Sequence, residues 1–132
     1  MSTTEIVQAA FTRLKAFEYE PQPEILWPGK QEKPPESGMW LEPMMFPNRP
    51  RDETWDEGCL DTRGFFQILV YFRPGQGQIE PSELADALIA HFPKNLLLAT
   101  VRVRQRPWQS PVVTEDSSKL HIPVTIPWMG LT

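Results

Sequence analysis

At 132 residues the chain is sized for one domain, 1–132, with room for a real core but not for two. A net charge of −4 gives no general attraction to nucleic acid or anionic membrane, and no apolar run approaches the roughly 18 residues of a membrane-spanning helix. The single cysteine, Cys59, excludes an intrachain disulfide, and the 15 prolines predict long, stiffened loops between elements. No basic and then apolar stretch opens the sequence, so no secretory leader is expected, and the composition suits a protein made and kept in a cytoplasm.

The first helix is predicted over residues 3–17. Ser2 followed by Glu5 has the form of a capping box. Ile6, Ala10, Leu14 and Phe17 fall on one face, flanked by Val7 and Ala9. Arg13 lies inside that stripe and Phe11 well outside it. The ordinary reading has Arg13 sending its head to water and Phe11 as a single exposed aromatic. A sharper reading has both facing a partner.

Pro21 and Pro23 break the helical pattern. Glu24 to Trp27 reads as a short strand closed by Pro28-Gly29, and Lys30 to Gly38 as a polar loop. Met39 to Phe46 has strand character, but Pro43 restricts it to a sheet edge or a bulge. Pro47 to Glu53 is loop. Trp55 to Thr62 then leads into the central strand, and Asp52, Glu53, Asp56, Glu57 and Asp61 make this an acidic stretch. Its spacing lacks the glycine-punctuated ligand pattern of a calcium loop, so a solvated acidic loop is the expected state.

The most apolar strand runs through Gly64 to Phe72. Phe66, Ile68, Val70 and Phe72 alternate onto one face, which is expected to lie on the core. The other face, Phe65, Gln67, Leu69 and Tyr71, is too apolar for plain solvent surface. It is covered by the chain's own loops or by another subunit. This strand pairs with 39–46, its neighbour in sequence. Arg73-Pro74-Gly75-Gln76-Gly77 turns the chain, and Pro81 opens a second helix whose stripe is Leu84, Ala85, Leu88, Ile89 and Phe92. Pro93 ends it.

A short strand is predicted at 96–98 and an alternating one at 100–106, with Val101 and Val103 inward. Arg102, Arg104 and Arg106 form a basic row on its other face. Pro107 to Lys119 reads as a polar connection. The last strand, 119–128, carries Leu120, Ile122, Val124, Ile126 and Trp128 in one phase and Pro123 and Pro127 in the other. Both prolines blank the same side, which predicts an edge strand paired with 100–106 on its unblanked side.

Little here resembles catalytic machinery. Neither His91 nor His121 has a metal-binding partner at ligand spacing, and no G-x-S-x-G, Walker or C-x-x-C motif occurs. Glu57 and Asp61 beside Cys59 raise a thiol pKa rather than lower it. No cofactor, no metal and no enzymatic activity are therefore expected. Two other classes stand beside a structural role: a monomeric binding module built on Trp40, Trp55, Trp108 and Trp128, and a small enzyme using His121 or Cys59.

The order of segments is distinctive: Ile25-Leu26-Trp27-Pro28, then Arg63 to Gly77, then Ala85 to Lys94, then Ile122-Pro-Val-Thr-Ile-Pro-Trp128. It resembles the tail terminator, or tail completion, proteins of long-tailed bacteriophages, the family that includes the terminator of phage lambda. The resemblance implies an α+β fold, a single mostly antiparallel sheet with two helices packed on one face. It implies a ring of identical subunits, usually a hexamer, on the head-proximal end of the tail tube in the virion. There it stops polymerisation and meets the head–tail connector, and DNA passes through the bore; the alternative within virion architecture is a head–tail connector or minor tail protein. Such a ring needs two complementary patches per subunit. The expected contact residues are Phe11, Phe65, Leu69 and Tyr71, with Asp52, Glu53, Asp56 and Glu57 facing Arg102 and Arg104 of a neighbour.

Overall fold

A computed structural model of the protein describes residues 3–20, 22–30, 33–35, 38–47, 51–52 and 60–131. Helix α1 (Thr3–Lys15) is followed by strands β1 (Glu24–Ile25), β2 (Trp40–Pro47), β3 (Arg51–Asp52) and β4 (Leu60–Phe72). Helix α2 (Ile79–His91) comes next. Strands β5 (Leu97–Leu98), β6 (Val101–Val103), β7 (Trp108–Gln109), β8 (Val113–Asp116) and β9 (Lys119–Leu131) complete the chain. The strands make one sheet in the order β1-β2-β4-β9-β6-β5, with β3 beside β4, and β7 and β8 beside β9. Among the described residues only β1 and β2 pair in parallel. The fold is α+β with a mostly antiparallel sheet, as the sequence predicts.

The sheet is built on the β4–β9 ladder, which runs unbroken from Asp61 opposite Leu131 to Phe72 opposite Leu120. Its register sets Phe66, Ile68 and Val70 against Ile126, Val124 and Ile122 on one face. These six side chains are buried. They meet Ile6, Ala10, Leu14 and Phe17 of α1 and Leu84, Ala85, Leu88 and Ile89 of α2 in one cluster. Both helical stripes are therefore spent on the same face of the sheet. Phe66 is wholly enclosed, a position where truncation to alanine typically costs about 3–5 kcal/mol. Helix α1 touches both β2 and β5, on opposite flanks of the strand order, so the sheet curves around its helices.

Pro43 sits where the sequence allows it. The Leu26 N–H donates to the Leu41 carbonyl at 2.8 Å, so odd residues of β2 turn their backbone groups away from β4. Beyond Leu41 that margin carries no further strand pairing among the described residues, and the N–H that proline lacks is not needed there.

The last strand is a correction to the expectation. β9 is not an edge. It pairs with β4 along its whole length on one side and with β6, β7 and β8 on the other. Pro123 and Pro127 do blank one side together, but that side faces the short strands. Their carbonyls still accept, from the Ser110 N–H at 2.8 Å and the Arg104 N–H at 2.9 Å. The missing donors are tolerated because three short segments, not one continuous strand, cover that side. Two of those segments, β7 and β8, lie in what the sequence presents as a polar connection.

Arg13 neither snorkels nor waits for a partner. Its Nε and Nη2 donate to the His91 carbonyl at 3.0 and 2.8 Å. The His91 ring returns the contact through Nε2, 2.7 Å from the Arg13 carbonyl. A carbonyl only accepts, so Nε2 carries the proton. The two helices thus cap each other's C-terminal ends, and a cation sits where the helix dipole favours it. Phe11 is not an exposed aromatic either: its ring packs 5.0 Å from Trp27 and 5.8 Å from Phe66.

Two stability predictions follow from this packing. Arg13→Ala removes the fork that satisfies the end of α2 and should lower unfolding free energy by about 1–2 kcal/mol in chemical denaturation, the contribution of a charge-assisted bond to a half-exposed carbonyl. Gly130 lies where β9 passes β6, and a Cβ there would sit 3.0 Å from the Val101 Cγ1 and 3.1 Å from the Thr100 carbonyl oxygen. Gly130→Ala should therefore destabilise by about 1–3 kcal/mol through overpacking, read as a lower melting temperature.

Candidate assembly surface

The side of the sheet turned away from the helices carries the odd residues of β4. Phe65, Gln67, Leu69 and Tyr71 lie opposite Phe46, Met44, Glu42 and Trp40 of β2 and opposite Pro127, Thr125, Pro123 and His121 of β9. This face divides into a sealed end and an open end.

The sealed end is closed by the chain itself. Trp40 stacks on Tyr71 with ring centroids 5.1 Å apart, and the Arg73 guanidinium lies 4.7 Å over the Trp40 ring. Arg73 is held in place by the Pro35 and Ser118 carbonyls, at 2.6 and 3.0 Å. The Tyr71 hydroxyl donates to Glu115 at 3.1 Å. Burial, and then the nearby Glu42 and Glu115 carboxylates, push its pKa well above the ordinary tyrosine value. It stays a neutral donor. Tyr71 is buried, so one of the three β4 residues expected to face a neighbour is spent inside the protomer.

At the open end, Phe65 and Leu69 are half-buried with no helix above them. Phe46 stacks on Phe65 at 4.9 Å, and Met44 beside them is 40% exposed. Gln67 reaches across to the Thr125 hydroxyl at 3.4 Å. The open strip is thus Met44, Phe46, Phe65 and Leu69. The sequence reading missed the first two. The signal for them was the register: Phe46 opposite Phe65 follows once 40–47 pairs antiparallel with 64–71.

Charged candidates are more scattered than the sequence suggests. Strand β6 ends at Val103, so the arginine row does not continue as one face. Arg102 lies opposite Met129, on the open side of the sheet, and reaches the Asn95 carbonyl at 3.4 Å. Arg104 is exposed as well, while Arg106 borders Asp86 and Ile89 of α2. Asp52 pairs with Leu60 through its backbone, and Glu53, Asp56 and Glu57 lie outside the described residues.

Other chemistry is sparse. No group of three or more histidine, cysteine or carboxylate side chains is placed to hold a metal among the described residues. Cys59 lies outside them. His121 packs 4.9 Å from Tyr71, and burial lowers its pKa against the pull of Glu115 and Glu42. A binding site made of tryptophan loops does not form, because Trp40 and Trp128 are core residues. No described helix is long and apolar enough to cross a membrane.

These features define a small α+β protein built on one sheet with both described helices on the same face. The chain belongs to the phage tail terminator protein family, whose model matches residues 5–128. It is thus of a family of structural phage tail proteins, not a known enzyme family, and its place is the virion tail. A solved structure with 27% sequence identity covers 100% of this chain and 96% of its own, with a TM-score of 0.76. The comparison with curated proteins returns no match.

The two histidines set a pH dependence. Burial is the first cause of lowering at both His91 and His121, so each protonates in the folded protein only below its unfolded value of 6.5. Above pH 6.5 both are neutral in both states and the contribution is complete. As pH falls below 6.5 the unfolded chain takes up protons first, and stability declines until the folded pKa values are passed. Equilibrium unfolding of a His91→Gln/His121→Gln variant should show a flatter acid limb just below pH 6.5 than the parent.

Proposed function

We propose that the protein closes the head-proximal end of the phage tail tube as a ring of identical subunits, a hexamer, ending tube polymerisation and offering the surface to which the head connector joins. The observation that carries this reading is the open apolar strip of Met44, Phe46, Phe65 and Leu69 on the helix-free face of a tail terminator family member. Monomeric proteins seldom leave a contiguous apolar strip uncovered, and such strips mark contact surfaces. Arg102 flanks the strip on the same side of the sheet, and Arg104 follows it, so the apolar centre has a basic rim. The ring is assembled in the host cytoplasm on a finished tube, and DNA crosses its bore without sequence recognition.

The test is polymerisation of purified tail-tube protein with and without this chain, scored by electron microscopy. Capping should yield tubes of limited length, each bearing one ring at one end. Leu69→Glu with Phe65→Glu should abolish capping while leaving the fold intact by circular dichroism. Arg102→Glu with Arg104→Glu should weaken it and leave the residual activity less salt-dependent. Tubes that grow equally long with or without the protein would overturn the reading. Binding only to a head connector would favour a connector role.

A further inference from the structure

A groove of about 320 Å³ runs between α1 and the Trp27–Lys30 turn, away from the open strip. Phe11 and Trp27 form its apolar floor, Val7, Thr12 and Pro28 line it, and Lys15 and Lys30 stand at its rim. Its volume sits at the small end of ligand-sized cavities and suits one large side chain. Lys15 Nζ lies 5.7 Å over the Trp27 ring. Both lysines are exposed, and neither pairs with a carboxylate among the described residues. The site therefore asks for an aromatic side chain with negative charge on either side of it.

The chain contains that ligand. Residues 52–57 read Asp-Glu-Thr-Trp-Asp-Glu, a single tryptophan set among four carboxylates. We infer that Trp55 of one copy occupies the Phe11/Trp27 groove of the next, with its flanking carboxylates on Lys15 and Lys30. This rests on the ring assembly proposed above and names one of its contacts. A segment of one copy seated in a groove of the next is the head-to-tail arrangement that closes into a ring. Tryptophan is also among the residues most enriched at interface hot spots.

The experiment titrates the full-length protein with a synthetic peptide of residues 51–58 and follows the Trp27 indole by NMR. The peptide should perturb Trp27 and bind more weakly as salt rises. A Trp55→Ala peptide should lose at least about tenfold in affinity. Lys15→Glu with Lys30→Glu in the protein should weaken binding of the parent peptide, and a peptide with its four carboxylates changed to lysine should bind that variant better than the parent protein. Absence of peptide binding would overturn the inference. So would binding indifferent to Lys15 and Lys30, or binding that responds instead to Arg102→Glu with Arg104→Glu. The two readings separate in the tube assay. If full-length Trp55→Ala caps tubes as the parent does, the groove contact is wrong and the terminator reading stands. If the peptide binds as expected but the parent caps nothing, the reverse holds.

Discussion

One antiparallel ladder, β4 on β9, decides where nearly everything else goes. It is the longest pairing in the sheet, and its register gives every side chain of two strands a side. Slipping it by one residue would turn Phe66, Ile68 and Val70 outward and bring Gln67 and Tyr71 under the helices. The helices could not then bury their stripes. The apolar content of the even face and the prolines in the odd phase of β9 together make that slip prohibitive.

With the ladder fixed, the helices have one place to dock and only one face of the sheet is covered by them. Their mutual cap, Arg13 on His91 and His91 on Arg13, joins two elements far apart in sequence at their C-terminal ends, where helices run short of intrahelical donors. The opposite face is finished differently. At one end, a stack of Arg73, Trp40 and Tyr71 closes it from within, and at the other the described residues leave Met44 exposed and Phe46, Phe65 and Leu69 half-buried. The division gives the family membership a physical content. The part of the sheet left open by the described residues is where the proposed contacts are placed.

Much of this was legible in the amino-acid order because periodicity reports burial. The stripes of α1 and α2 and the even face of β4 are core residues, as their spacing predicts. What was not legible depended on partners distant in sequence. Pro123 and Pro127 show which side of β9 is poor in donors, but not that three short strands would settle for carbonyls there. Arg13 looks misplaced on its helix until His91 is brought beside it. Tyr71 looks available until Trp40, Glu115 and His121 converge on it. β7 and β8 carry too few apolar residues to be seen as strands, and β9 imposes that conformation on them.

Pro43 bears on a hazard that sheet proteins in general face. A sheet with a bare margin invites another chain to dock along it by main-chain bonds, and the product of that docking is an open-ended fibril. Pro43, itself buried, takes one backbone donor away from the side of β2 that does not face β4. Main-chain pairing of another strand along that side is disfavoured at this position.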